Sequence, residues 1–118
     1  MVNPYVPDTG DIVFLDFDPQ VGREQAKRRP ALVLTDLRYN RASGLAVVCP
    51  LTSKVSKVKP YPFALPITVG SVEGAVLVDQ LKSMDWEGRG AEFHSKAPPT
   101  TIAKVRQYIA VLLQIPIR

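Results

Sequence analysis

The sequence predicts a mostly β domain: a compact, strongly bent barrel of short strands closed by one C-terminal helix. Two observations carry this. From Asp11 to Ser83 the apolar residues come in brief runs of Val, Ile, Leu and Phe, interrupted by Pro, Gly or polar segments, which is the pattern of short strands. After Gly90 the period changes. Ile102, Val105, Ile109 and Leu112 recur at spacings of 3, 4 and 3, a helical stripe that Leu113 widens. The 118 residues fit one domain over 1–118, without internal repeat or linker. Eleven prolines limit the freedom of the unfolded chain and suit tight corners.

Each element follows in order. DIVFLDF (11–17) reads as a strand, and Asp18-Pro19 ends it because proline cannot donate to a ladder. Residues 19–29 are polar, contain Gly22 and read as a loop. PALVLTD (30–36) is nearly all apolar at its start, a strand buried on both faces. LRYNRASG (37–44) reads as a connection, with Asn40 and Gly44 as turn formers. LAVVCPL (45–51) is a third strand, and TSKVSKVKP (52–60) a loop carrying Lys54, Lys57 and Lys59. YPFALPI (61–67) is a short strand whose Pro62 and Pro66 place it at a sheet edge. AVLVDQLKS (75–83) is the next strand, after a turn at 71–74. Pro98-Pro99 opens the helix and Pro116 stops it.

Composition narrows the function. No apolar run approaches the length of a bilayer span, and the first residues lack the basic flank and apolar stretch of a secretory signal. Cys49 is the only cysteine, so no internal disulfide can form, and the chain suits a reducing, cytoplasmic setting. In LAVVCPL that cysteine reads as packing. The net charge of +4 is unevenly spread: four aspartates and no base in the first 18 residues, then nine Lys or Arg against Glu24 and Asp36 over 23–59. A basic middle points to an anionic partner, nucleic acid first, with a merely solvated basic face as the plain alternative.

The chemistry is bounded too. No phosphate-binding glycine loop, HExxH or paired CxxC occurs. His94 is the only histidine, which rules out a two-imidazole acid–base pair within the chain; in GAEFHSK it reads as a loop residue. GREQAKRRPALVL (22–34) sets one carboxylate, Glu24, among Arg23, Lys27, Arg28 and Arg29. In RNA the 2′-hydroxyl is a built-in nucleophile. Cleavage then needs a base, a cation on the phosphorane and a proton donor for the leaving oxygen. Glu24 could serve as base, Arg29 could grip two phosphate oxygens through its planar fork, and Thr52 could add a hydroxyl. The scheme requires no metal and no cofactor. By spacing alone such a triad is weak, since all three residue types are common.

The chain resembles the MazF/PemK toxins of bacterial type II toxin–antitoxin systems, almost end to end. The likeness rests on YVPDTGDIVFLDFDP, on GREQAKRRPALVL, on YN (39–40), CPLTS (49–53), YPF (61–63) and VDQLKSMDW (78–86), and on the AP before the final helix. The resemblance implies a homodimer of SH3-like barrels, each of about five to seven short strands with a C-terminal α-helix. It implies a sequence-specific, metal-independent endoribonuclease (an mRNA interferase) that cuts single-stranded RNA to 2′,3′-cyclic phosphate and 5′-hydroxyl ends. The family's catalytic residues fall on Glu24, Arg29 and Thr52. A guanidinium with a pKa above about 12 donates protons reluctantly, so Arg29 is expected to stabilise the phosphorane and Glu24 to act as base. Some plasmid-borne relatives carry an arginine where this chain has Leu77, which leaves Asp79 to contact RNA or to brace its strand.

The expected RNA groove takes in Phe17 for base stacking, together with Gln25, Asn40, Ser53, Lys54, Lys57, Gln80 and Lys82. Phe17 has core packing as its other role, and Asn40 a turn. The expected partners are single-stranded RNA and an acidic antitoxin of the MazE kind. Two other readings compete. A non-catalytic RNA-binding barrel would need the lysine loop but not Glu24. A gyrase poison of the CcdB kind shares the fold but depends on a C-terminal helix ending Trp-Gly-Ile, whereas this chain ends LLQIPIR with Trp86 elsewhere.

Overall fold

A computed structural model describes residues 5–17, 27–53 and 62–116. In order, the elements are β1 (Asp11–Asp16), β2 (Arg28–Val33), α1 (Leu37–Ser43), β3 (Leu45–Thr52), β4 (Ala64–Val69), β5 (Val72–Leu77), a 3-10 turn (Val78–Gln80), β6 (Lys82–Asp85), β7 (Glu92–Lys96) and α2 (Pro99–Leu113). The strands form one curled, half-barrel antiparallel sheet in the order β4-β5-β3-β2-β1-β7, with β6 joined to β3. This is the mostly β architecture with a C-terminal helix that the sequence predicts.

Strand residues alternate between two cores, which explains why the central runs are apolar at nearly every position. Ile12, Leu32, Cys49, Leu51 and Val76 face one side, where Ile102 and Val105 of α2 cover them. Val13, Leu15, Ala31, Val33, Ala46 and Val48 face the other, closed by Met84 and by Phe17, with Tyr5 and Trp86 packed against them. The 3-4-3 stripe is therefore the helix face that caps the first core. Strand β4 lies at the sheet edge, where Pro66 needs no ladder donor on its free side.

Four expectations are corrected. Residues 37–43 form a helix, not a plain connection. Asp36 caps it by accepting from Tyr39 N at 3.0 Å, and Gly44 ends it in the left-handed region at φ 75°. The single strand expected over 75–83 is two strands. A 3-10 turn lets the chain follow the bend of β3, pairing first with Leu51 and Thr52 and then, through β6, with residues 45–48. A further strand, β7, occupies the stretch read as loop around His94. Finally, β2 begins at Arg28, so Arg28 and Arg29 sit on the strand, paired with Asp16 and Leu15, and not in the loop before it. Among the described residues no helix is long and apolar enough to cross a membrane.

Candidate active site

Two segments outside the described residues begin beside the sheet. The chain leaves the described residues at Phe17 and returns at Lys27, where Phe17 N donates to Lys27 O at 2.9 Å. It leaves again after Ser53, at the end of β3. Between these points lies a cleft of about 350 Å³, walled by Arg28 and Arg29 of β2, Thr52 and Ser53 at the end of β3, Phe14 of β1, and the β4–β5 turn with Ser71 and Glu73. Arg29 and Thr52, separated by over twenty residues in sequence, thus share one wall.

Local structure sets each of these groups. Arg29 is half-buried and its Nη1 donates to Leu51 O at 3.4 Å, which ties the guanidinium to the strand that carries Thr52. Thr52 is 8% exposed and pairs with Ala75 of β5. That close pairing depends on Gly74: a Cβ there would come within 2.2 Å of Thr52 O. Arg28 is turned aside, its Nη2 donating to Gly90 O at 2.7 Å and to the Glu92 carboxylate. An exposed ion pair of this kind is worth little to stability, but it holds one of the two adjacent cations away from its neighbour. The cleft therefore offers one anchored guanidinium, Arg29, and the hydroxyls of Thr52 and Ser53, a donor set suited to phosphate oxygens.

The expected site residues divide three ways. Arg29, Thr52 and Ser53 come together in the cleft. Glu24, Gln25, Lys54 and Lys57 lie outside the described residues. Gln80, in the 3-10 turn, and Lys82, opposite Val48 on β6, are half-buried and do not line this cleft; Asp79 beside them is exposed. Two assignments are corrected. Phe17 is 2% exposed and packs in the second core, so its ring face is not presented for base stacking; the aromatic ring in the cleft belongs to Phe14. Asn40 is fully buried. Its Nδ2 donates to Pro7 O at 2.8 Å and to Thr35 O at 2.9 Å, and its Oδ1 accepts from Thr35 Oγ1 at 2.6 Å. It secures the start of α1 and cannot reach RNA.

Other groups at the cleft were not read as site residues from sequence. Glu73 brings a carboxylate to its wall. His94 stands beside it on β7, with Nε2 2.9 Å from Ser71 Oγ and its ring edge-to-face with Phe14. The signal was weak, since Glu92–Lys96 alternates without an apolar face and pairs on one side only. Cys49 is buried, and burial together with the charge of Asp79 pushes its thiol up to about 12, so it packs and does not react. Among the described residues no group of three or more His, Cys, Asp or Glu side chains is arranged to hold a metal ion.

Comparison with known proteins adds independent findings. A family model described as "PemK-like, MazF-like toxin of type II toxin-antitoxin system" matches residues 8–113. The endoribonuclease toxin MazF of Escherichia coli K12 is 39% identical over 113 residues, covering 96% of this chain and 99% of that protein. Among solved structures, MazF from Deinococcus radiodurans superposes with a TM-score of 0.85 at 45% identity, over 94% of this chain and 99% of its own. A MazE–MazF complex from the same organism gives 0.80 at 40% identity, over 95% and 99%.

Proposed function

Since the chain belongs to the PemK-like, MazF-like toxins of type II toxin–antitoxin systems, we propose that it is a toxin endoribonuclease that cuts single-stranded RNA by attack of the 2′-hydroxyl. The observation that carries this reading is the shared cleft wall of Arg29 and Thr52, beside the points where the chain departs into the Glu24 and lysine segments. Arg29, anchored through Leu51 O, stabilises the charge that builds on the phosphorane. Thr52 holds a phosphate or ribose oxygen. Glu24 removes the 2′-hydroxyl proton, the 2′-oxygen closes the 2′,3′-cyclic phosphate as the P–O5′ bond breaks, and the leaving 5′-oxygen takes up a proton from a general acid or water to become the 5′-hydroxyl. Lys54 and Lys57 bind flanking phosphates. The protein acts as a homodimer in the cytoplasm, and an acidic antitoxin covers the same groove, its apolar contacts offsetting the entropy of ordering its tail.

Purified protein incubated with a long single-stranded RNA in EDTA tests the reading. Cleavage to cyclic-phosphate and 5′-hydroxyl ends is the expected result, with duplex RNA largely intact. Glu24→Ala and Arg29→Ala should each lose at least about a hundredfold in rate, with the Glu24 variant still binding uncleavable RNA. A strict need for Mg²⁺, or full activity in either variant, would overturn the mechanism. In competition, saturating antitoxin should displace RNA.

A further inference from the structure

Beside the Arg29–Thr52 wall the cleft has a second polar pair that the reaction does not use. Strand β7 is bulged against β1: Ile12 faces Ser95 and Val13 faces Phe93, so His94 has no opposite residue. A bulge re-aims a side chain, and bulges gather next to active sites. Here it brings the imidazole to the β4–β5 turn. Nε2 lies 2.9 Å from Ser71 Oγ, Nδ1 lies 2.8 Å from Ser95 Oγ, and the ring meets Phe14 at 5.5 Å and 70°. Ser71 and Phe14 both line the cleft, and Ser71 is exposed.

We propose that Phe14, Ser71 and His94 form a nucleobase subsite next to the scissile phosphate, in which the Ser71 hydroxyl contacts the edge of one base and His94 is a positioning residue. This rests on the RNA-cleaving reading above. An apolar ring accepts the face of a base, and a hydroxyl at its rim can read that base by a hydrogen bond. A serine hydroxyl alone reads poorly, because it rotates to donate or accept as required. His94 couples that freedom to its own tautomer. When Nε2 accepts, Ser71 must donate to it and presents lone pairs to the base; when Nε2 carries the proton, Ser71 accepts from it and its own hydrogen turns to the base. Ser95, bound at Nδ1, donates in one form and accepts in the other, so the ring stays hydrogen-bonded at both nitrogens in each.

The experiment cleaves a pool of single-stranded RNAs of randomised sequence with the full-length protein and maps the bases around each cut. Wild type should show a preference at one position that Ser71→Ala and His94→Ala flatten by about tenfold, with the loss in KM and not in kcat. His94→Gln, which keeps a polar partner for Ser71, should recover part of the preference, and His94→Leu none. Ser71 is exposed on a turn, so Ser71→Ala decides the matter if His94 variants do not fold. A preference unchanged at every position, or a uniform fall in activity across sequences, overturns the subsite. A wild-type protein that leaves the pool uncut overturns the nuclease reading and the subsite with it.

Discussion

Asn40 shows how a polar residue can be wholly spent on structure. Its side-chain amide donates to Pro7 O and Thr35 O and accepts from Thr35 Oγ1, and the indole of Trp86 donates to its backbone carbonyl at 3.0 Å. Asn40→Ala strands these partners in a dry site and should cost about 3 kcal/mol, while the RNA cut pattern of the folded protein stays the same. Chemical denaturation and cut mapping separate the two effects; an altered cut pattern at unchanged stability would return Asn40 to the groove. The acidic N-terminus is spent in the same way. Asp11 accepts from Tyr5 Oη at 2.6 Å, Asp8 N at 3.0 Å and Lys96 Nζ at 2.7 Å, which also pushes the Tyr5 phenol upward, after burial as the larger cause. Cys49 carries a pH prediction. Burial, with Asp79 second, raises its thiol from the ordinary 9.0 to about 12, so the fold holds the neutral form. That contribution is complete below about pH 9 and is lost as pH rises toward 12, by about 1.4 kcal/mol per unit. Between pH 8 and 11 the stability of wild type should fall relative to Cys49→Ala, and parallel curves would contradict it.

Among the elements, the β3–β5 contact most directly shapes the site. The two strands approach so closely at Thr52 that only a hydrogen fits on Gly74. Gly74→Ala must push β5 away or twist β3, at about 1–3 kcal/mol, and should lower activity by moving Thr52 relative to Arg29. Thermal melts and single-turnover cleavage would register both effects; an alanine variant with unchanged melting and rate would mean the contact is not so tight. Helix α1 owes its existence to its ends more than to its interior. With seven residues and one buried side chain, Asn40, it needs the Asp36 cap and the Gly44 terminus. Asp36→Ala should cost about 1 kcal/mol, measurable by denaturant midpoint.

At the scale of the molecule, charge and shape meet on one side of the sheet. Arg28 and Arg29 line the cleft, and Lys54, Lys57 and Lys59 follow Ser53 of its wall in sequence. Binding of an uncleavable RNA should therefore weaken steeply with salt, and Lys54→Ala or Lys57→Ala should each flatten the slope of log affinity against log salt by about one. A slope that neither change alters would remove both lysines from the groove. Val111 and Leu113 at the end of α2, and Ile115 just after it, are exposed past the last core contact, although they continue the apolar composition of the helix.

The sequence by itself determined the class of the fold, the positions of β1, β3 and α2 to within a residue or two, and the edge placement of β4; it also singled out Arg29 and Thr52, which the structure places on one cleft wall. These are local signals: apolar runs, a helical period, proline positions and a motif. It did not disclose that 75–83 breaks into two strands, because the break answers the curvature of β3, to which both halves pair. It did not reveal β7, an edge strand that one neighbour holds in place and that has no apolar face to announce it. Only the tertiary structure decided which aromatic faces the cleft. Phe14 and Phe17, three residues apart, fall on opposite faces by strand alternation, and the curl of the sheet puts the Phe17 face in the second core and the Phe14 face on the cleft wall. The same curl, with the bulge at His94, carries the lone histidine from a stretch that reads as loop to the rim of the site. Pairing and curvature are set by contacts between distant segments, and those contacts leave no period in the chain.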